Sequence, residues 1–521
     1  MKNLQLCVFL ALSCAFFPLL STEETKAGGG EKPQFKSWSL RSEEKEAFTF
    51  SGRDVKIIAP IKKTAMLSVQ SRFAIAPFDK VTLTAKFKGK GTLQLGFHVY
   101  SEKNYLTTFD GYRLLTCSPD DFTEVKYVHF VPADEGKYKP MKKAVPCIYL
   151  YGGTSGELRD FRWKIEKFSL DPNSPLSKTP PPEGTLPMQR QLILPEALYA
   201  VPGLECNVYF DNIFLSQNKD DFQFKVECPK GKADGERWSC SPEEKDAGSF
   251  DWTVSVSDKK GNLVARKSSK LFVAPKDAGS GKAYTLLMFG DSIIGVTSFP
   301  KRVHALFQTP GNPALVMVGT RPRKPSVKGA LAHEGFPGWS WYYFVNKGPF
   351  VKQSQGYPVG LDVQGYFDRA NNGKAPDFIT VQLGVNDVFG RDDFRLPSVM
   401  AAMEQRMDLL LAELRKCAPD AVIALAYPTP ASKNPEMTDA KRRAAVRRFQ
   451  MNLFEYDYLL QKKFGSNSKN PLRIQLVPVG TSLDCVRNFA VKDHVHPTEA
   501  GGNQLGDALY AFLKYQMSLR K

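Results

Sequence analysis

The stretch Tyr284-Thr-Leu-Leu-Met-Phe289, followed at once by Gly290-Asp291-Ser292, decides how this chain is read. A continuous apolar run of strand length suits a strand buried on both faces, as in a parallel sheet covered by helices. Runs of the same kind recur at 314–318, 378–383, 421–426 and 473–478. Helical patterns lie between several of them. Over 397–417, Met400, Met403, Met407, Leu410, Leu411 and Leu414 recur at helical spacing, and 440–464 and 499–517 behave likewise. The Met stripe reads as core. The basic residues Lys441, Arg442, Arg443, Arg447 and Arg448 read as a solvated helix face. Strand alternating with helix predicts a parallel sheet flanked by helices. Ligands of such sheets sit at the carboxyl ends of the strands, so whatever follows each strand is a candidate for chemistry.

Four of those stations carry polar punctuation. They are Gly290-Asp291-Ser292, His333-Glu334-Gly335-Phe336-Pro337-Gly338-Trp339, Gly384-Val385-Asn386-Asp387 and Asp493-His494-Val495-His496-Pro497. Each alone is weak, but the order and the stations together carry information. A serine hydroxyl is a poor nucleophile until a base takes its proton. His496 is the candidate base, because imidazole titrates near neutral pH. Asp493, three residues earlier, can accept the other ring N–H and hold the tautomer. The Ser292 and Gly338 backbone N–H groups and the Asn386 amide would supply oxyanion donors. Gly338 lacks a Cβ, so its backbone can approach a substrate closely; Gly335 is its rival. Asp291 and Asp387 are expected to hydrogen-bond their own loops, and His494 to point elsewhere. Trp339, Trp341, Tyr342 and Tyr343 could wall the site or pack a helix. A Gly-x-Ser-x-Gly elbow would need glycine where Ile294 stands. Asp493, His494 and His496 come with no HExxH and no Cys/His cluster, so neither a metal nor a cofactor is expected.

This set of motifs resembles the SGNH hydrolases, also called the GDSL family, over 283–521, with Ile293 where the family usually has leucine. The resemblance implies a three-layer α/β, flavodoxin-like domain. It also implies catalysis by Ser292, Asp493 and His496, with an oxyanion site at Ser292, Gly338 and Asn386. The activity implied is that of a serine carboxylic-ester hydrolase, of the kind that removes acetyl groups from polysaccharides. Two other readings remain: a lipid or thioester hydrolase of the same mechanism, and a catalytically silent glycan-binding protein.

The chain before 283 has a different grammar. Segment 34–170 alternates apolar and polar residues, as at 80–87, 91–100 and 161–168. It reads as a β-sandwich, jelly-roll and carbohydrate-binding-like. Tyr100, Tyr105, Tyr112, Tyr149 and Tyr151 could stack on sugar rings or pack internally. Segment 171–187 holds Pro172, Pro175, Pro180, Pro181 and Pro182 and reads as a stiff linker. Segment 188–276 shows strands at 206–210, 222–226, 252–257 and 270–274, with a hairpin turn at 258–261. It reads as a small immunoglobulin-like sandwich. The expected fold is thus a C-terminal α/β domain preceded by two β-sandwich domains.

A chain of 521 residues is too long for one core. With 42% apolar residues, disorder is excluded as its main state. Only 4–20 is apolar enough to enter a membrane, which excludes a multi-span transporter. Lys2 ahead of that run reads as a secretory signal over 1–27, implying a secreted or periplasmic protein. Lipidation at Cys14 is disfavoured, because Ala15, Phe16 and Phe17 continue the apolar run. Export permits disulfides; Cys228 with Cys240 and Cys117 with Cys147 are candidates, and buried thiols are the alternative. Lys and Arg number 71 against 54 Asp and Glu, a net +17. The cations are scattered rather than focused, which argues against nucleic acid. The expected partner is an acylated, chiefly acetylated, carbohydrate, with a hint from the charge that it is anionic.

Overall fold

The computed structural model describes residues 35, 37–76, 79–101, 104–116, 120–131, 141–166, 191–216, 218–321, 331–354, 357–391 and 396–520. The expected signal at 1–27, the linker at 171–187 and Cys117 lie outside the described residues.

The apolar runs of the C-terminal region form parallel strands, in the spatial order Ala314–Val318, Ala283–Gly290, Phe378–Gln382, Val422–Ala426, Ile474–Val477. A two-residue strand, Glu334–Gly335, pairs with Phe289 and Gly290 at the end of the first. The first strand of the chain order is therefore internal, between the second and the third. Its neighbours run outward in opposite senses, which opens a crevice at the carboxyl ends of the 283–290 and 378–382 strands.

Both faces of this sheet are covered, because side chains alternate along each strand. Leu287, Phe289, Ile379, Val381, Ile423 and Leu425 face one core. That core is completed by Met403, Met407, Leu410 and Leu414 of helix Leu396–Cys417 and by Phe449 and Leu453 of helix Ala440–Phe464. Leu286, Met288, Ala424 and Val477 face the other, against Phe299 and Val303 of helix Phe299–Phe307 and Leu505, Leu509 and Phe512 of helix Glu499–Ser518. The Met stripe is core, as its spacing implies. Each fully buried Leu, Ile, Val, Phe or Met among them contributes about 1.5–3 kcal/mol.

The regions before 283 are mostly strands in antiparallel sheets. In the first, the long strand Lys80–Tyr100 joins two groups of partners. Residues 80–90 pair with Thr123–Phe130 and Ser155–Glu166, and residues 91–100 with Tyr105–Thr116 and Lys143–Leu150. Both groups contribute to one hydrophobic core. In the second, Gly248–Asp258 pairs with Phe222–Glu227 and Leu263–Val273, and Cys206–Tyr209 with Arg237–Cys240, around Trp238 and Trp252. The turn at 258–261 forms as expected, with Gly261 N–H donating to the Asp258 carbonyl.

Three features mark this second region. The strand beginning at Cys206 stops at Tyr209 and becomes the short helix Phe210–Ile213. Ala197–Ala200 pairs in parallel, not antiparallel, with Leu263–Val273. Cys228 and Cys240 are both thiols, and the cross-strand partner of Cys240 is Cys206.

This region packs directly on the C-terminal domain. Tyr199 and Val201 belong to the second of its two cores. Asn212 Nδ2 donates to the Leu483 carbonyl at 2.7 Å and the Gly480 carbonyl at 3.1 Å, and Arg487 pairs with Glu236 at 2.7 Å. Among the described residues, no helix is long and apolar enough to cross a membrane.

Candidate active site

The first strand ends at Gly290, and Asp291 caps the short helix Ser292–Val296 by accepting the Ile293 N–H at 2.9 Å. Ser292 is thereby fixed at the helix start and is only 4% exposed. Its Oγ lies 2.8 Å from Nε2 of His496. Nδ1 of the same ring lies 2.8 Å from Oδ2 of Asp493. The other carboxylate oxygen of Asp493 accepts the N–H groups of Val495 at 3.0 Å and His496 at 2.9 Å. Burial opposes ionisation of Asp493, but these backbone donors and the imidazole outweigh it and hold the carboxyl below its ordinary value. Residues 204 positions apart thus form one hydrogen-bonded line from hydroxyl to carboxylate.

The other predicted residues border the same strand ends. Asn386 sits on the short helix Val385–Val388, entered through Gly384 at φ +112°. A Cβ at Gly384 would come within 2.2 Å of Cε1 of Tyr456, so the turn needs glycine. Asn386 Nδ2 donates to the Trp339 carbonyl at 2.9 Å, tying its loop to the Gly338 loop and leaving its second N–H available. Gly338 lies in the left-handed region, at φ +75°, with open space around its missing Cβ. Gly335 does not compete for the same role. It pairs with Gly290 in the sheet, and its N–H donates to Nδ1 of His333 at 2.9 Å.

Asp291 behaves as a local cap, as expected. Asp387 reaches beyond its own loop. Its Oδ2 accepts the Trp341 N–H at 3.1 Å, and its Oδ1 lies 3.6 Å from Nη1 of Arg406. Arg406 is buried on the Leu396–Cys417 helix, with its guanidinium 5.1 Å from the Tyr342 ring centroid. Trp341 Nε1 in turn donates to the Tyr456 hydroxyl at 3.2 Å. Burial pushes the Asp387 carboxyl up to about 6, with Arg406 resisting. Burial pushes Asp291 up to about 7, and the Asp387 charge adds to this. Neither Arg406 nor Tyr456 was singled out from the sequence. An arginine beside Met403 and Met407 on a buried helix face was the available signal.

Around the site, Phe336 and Trp339 stack at 3.9 Å between ring centroids, and Trp339 and Tyr343 at 5.5 Å. Trp341 is fully buried and packs the core. His494 turns away from Asp493 and stacks on Phe389 at 5.6 Å. Burial, and next the Arg442 charge, push its ring below the ordinary histidine value. Arg442 thus lies within electrostatic reach of the site, which a simply solvated helix face does not imply. Among the described residues, no group of three or more His, Cys, Asp or Glu could hold a metal ion.

Comparison with known proteins matches residues 286–509 to the family described as GDSL-like Lipase/Acylhydrolase. No curated protein matches the chain. Among solved structures, a carbohydrate esterase family 3 from Talaromyces cellulolyticus is 16% identical over 46% of this chain and 100% of its own, with a TM-score of 0.29. The lipase/acylhydrolase from Enterococcus faecalis is 14% identical over 45% of this chain and 96% of its own, at 0.28. The acetyl xylan esterase AlAXEase is 14% identical over 44% and 99%, at 0.27. Ser292, Gly338, Asn386, Asp493 and His496 all fall inside 286–509, the residues that match the family described as GDSL-like Lipase/Acylhydrolase.

Proposed function

We propose that the chain is an exported serine esterase that removes O-acyl groups, acetyl first among them, from a carbohydrate or polysaccharide. The observation that carries this reading is the 2.8 Å contact from Ser292 Oγ to His496 Nε2, with Asp493 on the far ring nitrogen. Ser292 Oγ attacks the ester carbonyl carbon as His496 takes the hydroxyl proton. The carbonyl oxygen becomes an oxyanion, which accepts from the Ser292 and Gly338 N–H groups and the Asn386 amide. Collapse breaks the bond to the sugar oxygen, which leaves with the proton from His496. A water then gives its proton to His496 and attacks the acyl-serine carbonyl; collapse breaks the bond to Ser292 Oγ, which takes that proton back from His496, and the carboxylic acid is released. Asp493 holds the ring in the tautomer that accepts from Ser292 and stabilises the imidazolium that forms.

Support for a carbohydrate comes from the appended strand regions, read here as two β-sandwich modules, and from the Phe336–Trp339–Tyr343 rings beside Gly338. The net charge of +17 supports an anionic one. Export to the periplasm or the medium is supported by the apolar run at 4–20 behind Lys2.

The test is fluorophosphonate labelling, together with turnover of p-nitrophenyl esters of increasing chain length and acetate release from a panel of acetylated polysaccharides. The expected result is labelling lost in Ser292→Ala, highest turnover on acetyl, and acetate release from at least one polymer. A preference for long chains would replace acetylesterase by lipase or thioesterase. No labelling and no acyl release from the parent protein would leave only glycan binding.

A further inference from the structure

The strands at 65–69, 143–150 and 91–100 send Leu67, Ile148, Leu150, Leu95 and Phe97 into the core, so the residues between them face outward. On that outer face, Ser68, Cys147 and Gly96 lie in one register row. All three are small, and larger side chains from the rows on either side close over them. Met66 Sδ lies 3.1 Å from Nε2 of His98, and the His98 and Tyr149 rings meet edge to face at 6.2 Å. Cys147 points away from the core and is nevertheless 0% exposed.

The surface continues sideways. Tyr105 sits edge-on to both His98, at 5.9 Å, and Tyr100, at 5.8 Å, and is 56% exposed. Its hydroxyl is fixed by Thr108 Oγ1 at 2.9 Å, and that same oxygen lies 2.7 Å from Nδ1 of His98. Four rings are therefore held in place on one sheet face before any ligand arrives. Two cations border them. The Arg72 guanidinium lies over Tyr100 at 4.3 Å, and Arg41, in register with Met66, acts electrostatically on His98. Both arginines are exposed, and neither has a carboxylate partner among the described residues. Of the other tyrosines read from the sequence, Tyr151 is buried with its hydroxyl on Gln94, and the Tyr112 side chain lies outside the described residues.

We infer that this face is a second, non-catalytic binding site for an anionic saccharide chain, with Tyr105, Tyr149, His98 and Tyr100 as its platform and Arg41 and Arg72 as its anion contacts. Rigid aromatic rings offer apolar area to the C–H faces of a pyranose at little entropic cost. A guanidinium presents a planar fork that matches a carboxylate or sulfate. A neutral glycan would use the rings and leave both cations idle. The inference concerns binding alone and does not depend on ester cleavage.

The test uses the full chain carrying Ser292→Ala, so that turnover does not consume the ligand. Polygalacturonate, a sulfated galactan and neutral xylan are compared by affinity electrophoresis and calorimetry. The expected result is retention by at least one acidic polymer that weakens as salt rises, with xylan bound at least about tenfold more weakly, a difference of about 1.4 kcal/mol. Which acidic polymer binds identifies the anion as uronate or sulfate. Tyr105→Ala with Tyr149→Ala is expected to lower affinity about tenfold or more, and Arg72→Gln to lower it for the acidic polymer only. In a background that keeps Ser292, the same changes should leave p-nitrophenyl acetate turnover unaltered, which also shows that the variants fold. No retention of any polymer, xylan bound as well as the acidic polymers, or retention unchanged in the variants would overturn the assignment.

Discussion

Replacing Arg406 by methionine removes the cation facing Asp387 while keeping most of the apolar stem. The two groups are 3.6 Å apart and both are buried. At an effective dielectric of about 20, unit charges at that separation attract by about 4–5 kcal/mol. Charge delocalised over guanidinium and carboxylate brings this to about 3–4 kcal/mol, in the range of 3–5 for breaking a buried pair. At 1.36 kcal/mol per pH unit, the Asp387 carboxyl would rise by about 2–3 units from its value of about 6, and be protonated at pH 7. Asp387 holds the Trp341 N–H, so its neutralisation loosens residues 338–341 against Asn386. The expected outcome is a fall in kcat toward the 10²–10³ typical of one lost oxyanion donor, with KM nearly unchanged. The assay is p-nitrophenyl acetate turnover from pH 5 to 9, with urea unfolding in parallel, and Arg406→Lys should restore much of both. A methionine variant that matches the parent in pH profile and in unfolding midpoint would refute the argument.

Asp493→Asn keeps an oxygen for the Val495 and His496 N–H groups but sets an amide against Nδ1 of His496. This favours the tautomer that cannot accept the Ser292 proton, so kcat should fall about 10³–10⁴-fold with folding intact, by turnover and circular dichroism. Asp291, raised from 3.8 to about 7, keeps a proton in the folded state over a range where the unfolded chain has lost it. Its contribution to stability is therefore lost as pH rises through that range. Asp291→Asn, which can still cap Ile293, should gain on the parent by up to about 1.4 kcal/mol per pH unit there, read by urea unfolding at pH 4.5, 6 and 8. Gly384→Ala would drive a methyl into the Tyr456 ring from a left-handed backbone position, and its unfolding free energy should drop by about 2–4 kcal/mol.

The parallel sheet was legible because doubly buried strands leave short continuous apolar runs, and here those runs alternate with helical patterns. The candidate residues were legible because each stands within a few positions of such a strand end. Ser292, Asp493 and His496 are the groups that meet, and Asn386 and Gly338 border them. What stayed hidden depends on contacts that no local pattern encodes. Asp387 looked like a loop residue because its partner, the Trp341 N–H, is 46 positions away. Arg406 was absorbed into a helix read for its methionines. The step from strand to helix at Phe210 leaves the residues buried on either side of it, so alternation alone does not report it. Cys228 and Cys240 invited pairing by their closeness in sequence, whereas strand register sets Cys206 opposite Cys240.

The Asn212 amide, seated on the carbonyls of Gly480 and Leu483, changes what kind of unit the C-terminal domain is. Those carbonyls begin the stretch that runs on to Asp493 and His496, and Arg487 within it is clamped by Glu236. Cutting the chain just ahead of residue 283 would strip the underside of that stretch, baring main-chain acceptors and apolar surface that now see no water. The 188–276 segment is therefore a foundation rather than an attachment.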